Sequence, residues 1–167
     1  NQWFDHPRVQ WLASPEVRAL LEKYFDGPIT DAQVALVASK VDWSRAILTR
    51  TIFIVASIVG TRFEGADFAN AVLDRATFER CDLRGASFAM RRPAPAPTSA
   101  HARFVDCDLR QTEWHERNLR DTTFVRCKLE GALGEPAATT GLVLEDCGVD
   151  VAGFLAQLAR PRRATSV

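Results

Sequence analysis

Phe or Leu occupies every fifth position between residues 61 and 90: Phe63, Phe68, Leu73, Phe78, Leu83 and Phe88. The residue two before each of them is small, namely Thr61, Ala66, Ala71, Ala76, Cys81 and Ala86. A helix returns to one face every ~3.6 residues and a strand every ~2, so neither produces a strict five. The pattern is therefore an internal repeat. It runs backward through Ile58, Phe53, Leu48 and Trp43, with Ala56, Thr51, Ala46 and Val41 at the small positions. After a break it resumes as Phe104, Leu109, Trp114, Leu119, Phe124 and Leu129, preceded by Ala102, Cys107, Thr112, Arg117, Thr122 and Cys127.

Different periods flank and interrupt the repeat. Residues 1–13 hold Trp3, Phe4 and Trp11 without a period and read as an apolar lead-in. Ser14 then offers an N-cap and Pro15 a first helical position, and Val17, Leu20, Leu21 and Tyr24 share one helical face that Gly27 and Pro28 end. A second helix is expected from Thr30, where Gln33 completes a capping box and Val34, Val37, Ala38 and Val41 form the apolar face. Within the repeat, residues 90–100 carry Pro93, Pro95 and Pro97, which cannot donate to a β-ladder. They predict a loop, and the sixteen residues from Phe88 to Phe104 read as one step of five with about eleven inserted. The stretch 133–141 keeps the multiple of five between Leu129 and Leu144, and is either two degenerate repeats or a second loop. Val151, Phe154, Leu155 and Leu158 then mark a short amphipathic helix that stops before Pro161, followed by a mobile tail. One face of it caps the last coil, and the rest is left to pair with a second copy.

The unit, Ala-Asp/Asn-Leu/Phe-x-x, resembles the pentapeptide-repeat family. That resemblance implies an all-β solenoid, a right-handed quadrilateral β-helix over residues 41–150, with an N-terminal helical cap over 1–40 and a C-terminal helix and tail over 151–167. Four repeats make one square coil, so residues twenty apart stack at about 4.8 Å. With eleven inserted residues, Phe53, Leu73, Phe104, Phe124 and Leu144 form one internal column, and Ile58, Phe78, Leu109, Leu129 and Val149 another. Cys107, Cys127 and Cys147 line an inner corner, where Cys serves as a small apolar filler rather than as a tetrahedral metal ligand. Ile47, Ile52, Ile54, Val55 and Val59 point outward. So much exposed aliphatic surface is costly, and the N-terminal helices are expected to fold back over it.

Composition removes more functions than it adds. Lys plus Arg and Asp plus Glu number 21 each in 167 residues, so no global charge draws the chain to DNA or to an anionic membrane. The four cysteines lack a CxxC pair and read as reduced thiols of a cytoplasmic protein. The most apolar run, 51–59, is about half the length that spans a bilayer. Gly-rich phosphate loops, nucleophile elbows and HExxH are missing, and His6, His101 and His115 lie in separate surroundings. Asp67, Asp74, Asp82, Asp106 and Asp108 sit beside arginines on outward positions, which makes ordinary solvated faces. No catalysis, cofactor, metal or small-molecule substrate is expected.

Function is therefore sought where the five-residue beat is broken. Arg117 occupies a small inward position, and a distorted backbone is expected to release it to solvent or pair it with Glu113 or Glu116. Trp114 is larger than its counterparts. A protein-binding scaffold follows, with candidate partner contacts at Arg91, Arg92, Pro93, Pro95, Pro97, His101, Trp114, His115 and Arg117, and candidate dimer contacts at Val151, Phe154, Leu155 and Leu158. The segment 103–114, through Phe104, Cys107, Leu109 and Trp114, is similar to one in the gyrase-protecting, quinolone- and albicidin-resistance branch of the family. That likeness implies a rod-shaped homodimer whose loop engages DNA gyrase or topoisomerase IV. The neutral charge and the N-terminal helices set this chain apart from that branch. Removal of residues 1–40 is expected to expose the aliphatic face, and light scattering checks for the aggregation that follows.

Overall fold

The structure, a computed structural model, describes residues 38–39, 42–51, 53–54, 56–91 and 101–161. The expected helices before residue 38, together with Val41, Ile52, Val55, the segment 92–100 and the tail 162–167, lie outside the described residues. What is described is a four-sided parallel β-solenoid closed by one helix. Its longest face holds strands β1 (Ala38–Ser39), β2 (Ser57–Val59), β3 (Thr77–Glu79), β4 (Arg103–Val105), β5 (Thr123–Val125) and β6 (Val143–Glu145), all parallel and in sequence order. The other faces are tied by single parallel bridges, such as Asp42 with Arg62, Ile47 with Asp67 and Asn118 with Ala138. Ala38 and Ser39 pair with Ile58 and Val59, which corrects the helix expected to run through Ala38: the ladder already reaches these residues.

Five residues make one side because a tight corner closes each repeat. The carbonyl of the inward Phe or Leu accepts the amide three residues on, as in Ala66 N to Phe63 O at 2.9 Å and Ala86 N to Leu83 O at 3.0 Å. The residue two after the inward one takes a positive φ, at Arg45 (58°), Gly65 (67°), Arg75 (56°) and Gly85 (66°) among others. A side chain there costs about 1–2 kcal/mol, which packing of the interior must offset. That packing is dense. Phe63, Phe68, Leu73, Phe78, Leu83 and Phe88 are all 0% exposed, and the small residues at the preceding positions leave room for their rings.

The rings follow the register of the ladder. Phe68 stacks on Phe88 at 4.9 Å and Phe88 on Trp114 at 4.4 Å, while Phe78, Phe104 and Phe124 form a second stack at 5.0 and 5.2 Å. These spacings match that of adjacent strands. Phe78 thus meets Phe104, 26 residues later and six more than an undisturbed coil of twenty. This corrects the expected columns: Phe104, Phe124 and Leu144 continue from Ile58 and Phe78, not from Phe53 and Leu73. The break holds two repeat steps and six extra residues, rather than one step and eleven. Cys81 consequently joins Cys107, Cys127 and Cys147 at one corner, where each free thiol donates weakly to an inward residue's carbonyl one coil earlier, for example Cys107 Sγ to Phe78 O at 3.3 Å. Across 133–141 the pairs Glu113 with Leu133 and Asn118 with Ala138 keep the interval of twenty, so this stretch is two degenerate repeats.

Helix α1 (Val151–Leu158) closes the far end. Asp150 caps it by accepting from Gly153 N at 2.7 Å. Phe154 and Leu158 are buried, with the Phe154 ring 5.8 Å from that of Phe124, and Gln157 Nε2 donates to Leu129 O at 2.6 Å. These two residues, expected in a dimer contact, are spent on the cap; Val151 and Leu155 remain half-buried. The helix end is received by Gly134, whose N–H donates to Leu158 O at 2.9 Å. Gly134 has φ +108°, and a Cβ there would stand 2.5 Å from His115 N. Gly134→Ala should therefore lose roughly 2 kcal/mol or more in chemical denaturation. Gly85→Ala, with φ +66° but nothing within 4 Å of its Cβ, should lose only about 1 kcal/mol. Equal losses would refute the close approach as the cause.

Candidate functional site

At the interrupted coil the solenoid's hydrogen bonding changes character. Up to Phe88 the ladder is regular, with Phe88 N donating to Glu113 O at 2.8 Å. At the next corner Arg91 N does not follow the usual pattern: it donates to Asn70 Oδ1 at 3.0 Å, and Arg91 Nη1 pairs with Asp67 at 2.9 Å. The chain re-enters at His101, whose N–H donates to Arg120 O at 3.2 Å and whose ring lies 3.8 Å from Asp121. The two feet of the break are thus held on described neighbours.

Arg117 supports the outgoing foot from inside. It is 0% exposed, and its Nε donates to Phe88 O at 2.7 Å, Nη1 to Ala71 O at 2.6 Å and Nη2 to Phe68 O at 3.0 Å. The expectation that it escapes to solvent is corrected: its guanidinium is fully buried and donates to backbone carbonyls. Burial draws its guanidinium down to about 10, with Asp74 opposing, so it remains a cation at neutral pH. Trp114 beside it is equally buried and sandwiched, with Nε1 donating to Thr112 Oγ1 at 2.9 Å and that hydroxyl donating to Leu109 O at 2.7 Å.

Around the outside, charge pairs run up the coils. Arg84 spans Asp82 at 2.7 Å and Glu64 at 3.4 Å, Arg110 pairs with Asp108 at 2.6 Å, and Arg126 with Asp106 at 2.7 Å. Arg84 and Glu64 also line a shallow groove of about 580 Å³ with Asp42, Arg45, Arg62 and Gln111. Among the described residues no group of His, Cys, Asp and Glu is arranged to hold a metal ion, and no helix is long and apolar enough to cross a membrane.

Residues 56–89 match the family profile described as "Pentapeptide repeats (8 copies)". These residues are pentapeptide repeats, and the parallel β-solenoid of the described residues is the fold of that repeat. No curated protein matches its sequence. Among solved structures it is similar to a pentapeptide repeat protein from the Arabidopsis thaliana thylakoid lumen, at 20% identity over 86% of this chain and 91% of that one, with a TM-score of 0.39. It is also similar to QnrB1, a plasmid-mediated fluoroquinolone resistance protein, at 13% identity over 71% and 86% of the two chains and a TM-score of 0.33. HetL, a pentapeptide repeat protein involved in heterocyst differentiation regulation in the cyanobacterium Nostoc, matches at 17% identity over 67% and 55%, with a TM-score of 0.28. The assignment rests on the repeat itself.

Within the pentapeptide-repeat coil, the site residues expected from sequence divide in three. Arg91, His101 and His115 are exposed and flank the break. Trp114 and Arg117 are core residues, which corrects their expected place at a contact surface. Arg92, Pro93, Pro95 and Pro97 lie outside the described residues. Asn70 and Asp67, which hold the outgoing foot, were missed, because an outward Asn or Asp is unremarkable in this repeat until its partner is known.

The charge pairs have a consequence for acid stability. The Arg84 hydrogen bond holds the Asp82 carboxyl below its ordinary 3.8, and the Arg126 hydrogen bond does the same for Asp106. A carboxylate lowered in the folded state contributes stability that is complete above the ordinary value and disappears as pH falls through the folded one. Melting temperature should therefore fall below about pH 4, and less steeply in Asp82→Asn than in the wild type. Parallel acid profiles of the two proteins would refute the assignment of Asp82.

Proposed function

We propose that this chain is a non-enzymatic scaffold that binds a protein partner at the interrupted coil. The observation that carries this reading is the pair of fixed feet: Arg91 is tied to Asp67 and Asn70, and His101 re-enters against Arg120 and Asp121. An insertion held at both ends on a rigid stack is a presented segment, since loops positioned by a scaffold are where recognition concentrates. The contact surface then comprises Arg91, His101 and His115 with Arg92, Pro93, Pro95 and Pro97 of the loop. The segment before residue 41 serves as an N-terminal cap in this reading. Pairing of two copies draws on Val151 and Leu155, the half-buried side of α1.

The second reading, engagement of DNA gyrase or topoisomerase IV, is favoured by the motif Phe104, Cys107, Leu109 and Trp114. A supercoiling assay with purified gyrase, with and without a quinolone, separates the two: no binding and no rescue removes the topoisomerase. For the scaffold itself, the full chain is used as bait beside Arg91→Glu and, on another face, Arg126→Glu. A partner held by the wild type and by Arg126→Glu, but bound at least about tenfold more weakly by Arg91→Glu, is the expected result. Equal retention by all three forms would place the contact elsewhere.

A further inference from the structure

The carbonyls that Arg117 meets are those that elsewhere bind main-chain amides. At undisturbed corners the small residue's carbonyl accepts an amide from the next coil, as Thr61 O does from Asp82 N and Ala66 O from Ser87 N, both at 3.0 Å. The inward residue's carbonyl accepts the amide three residues on, as Leu83 O does from Ala86 N at 3.0 Å. At the break, Ala71 O accepts from Arg117 Nη1, and Phe88 O accepts from Arg117 Nε while Arg91 N is turned to Asn70. Phe68 O keeps its corner amide, Ala71 N at 2.9 Å, and takes Arg117 Nη2 besides.

Three oxygen atoms from two coils therefore converge on one plane of donors. We propose that the interrupted corner is a guanidinium-binding pocket built of main-chain carbonyls, occupied in cis by Arg117, and that this occupancy, rather than the loop's sequence, fixes the outgoing foot of the break. The match is chemical as well as geometric. A guanidinium presents five N–H groups in one plane from three nitrogens, so three separate carbonyls are served at once and its charge is spread. An ammonium is a single, more strongly hydrated centre and cannot span them. Lys is thus no substitute for Arg117. The pocket follows from geometry alone and stands whether or not the scaffold reading does.

The test compares the full chain with Arg117→Ala, Arg117→Lys and a form in which residues 92–100 are replaced by nine Gly and Ser residues. The loop replacement should melt within about 2 °C of the wild type, and both Arg117 variants about 10 °C or more below it. Added methylguanidinium, at about 10 mM, should raise the melting temperature of Arg117→Ala by several degrees and leave the wild type unmoved, whereas methylammonium should do neither. The wild type supplies a readout if the variants do not fold: the Arg117 Nε–H proton should be visible by NMR and slow to exchange. A rapidly exchanging Nε–H, an Arg117→Lys form as stable as the wild type, a folded Arg117→Ala form indifferent to methylguanidinium, or collapse of the loop replacement would each overturn the proposal.

Discussion

A solenoid of this kind depends on one requirement: each main-chain amide and carbonyl turned along the axis must meet its complement in the coil above or below. Nothing else in a five-residue repeat is long enough to hold the chain, since most strands are only three residues long and three of the four faces are tied by single bridges. The inward rings add burial, but they stack as they do because the ladder sets their spacing. Where the ladder is whole, side chains are free to be small, aromatic or charged as the position asks. At the break, a side chain takes over the work of the backbone, and it is the most strongly hydrogen-bonding side chain the code offers.

That substitution explains why the sequence was legible in some places and not in others. The five-residue period names the inward residues from Trp43 to Phe88 and from Phe104 to Leu129 correctly, because each is a local consequence of one corner. The phase across the break is not local. Sixteen residues between Phe88 and Phe104 accommodate five and eleven as readily as ten and six, and the pairing of Phe78 with Phe104 and the stacking of Phe88 on Trp114 decide between them. The fourth cysteine of the thiol corner was lost with that phase. Arg117 stood out as a residue in the wrong place, yet its partners did not, because carbonyl oxygens belong to every residue and leave no mark in a sequence. Ala38 misled for a related reason: a helical face of Val and Ala is also a plausible approach to a strand, and pairing with Ile58 decided in favour of the strand.

The ends are managed by different means from the middle. A coil whose last strand is left open exposes a row of unpaired donors and acceptors to any other chain. Here α1 lies across that end, placing Phe154 and Leu158 on the terminal rings and the side chain of Gln157 on two carbonyls, Leu129 O and Ala132 O. As with Arg117, a side chain completes backbone bonding that the repeat does not. The glycine at 134, with its positive φ, marks where the backbone of the preceding coil at Trp114 and His115 comes too near for any larger residue.

Arg117 also alters how the stack behaves as a whole. In a repeat protein each unit normally feels only its immediate neighbours, so unfolding can begin at an end and run inward one unit at a time. The guanidinium reaches 29 residues back to Phe88 and 46 and 49 residues back to Ala71 and Phe68, skipping over a coil. That is a second-neighbour coupling in an otherwise one-dimensional chain. Fraying from the α1 end therefore meets a knot of cooperativity at Arg117: the coil that carries it cannot detach without also releasing the coil two below.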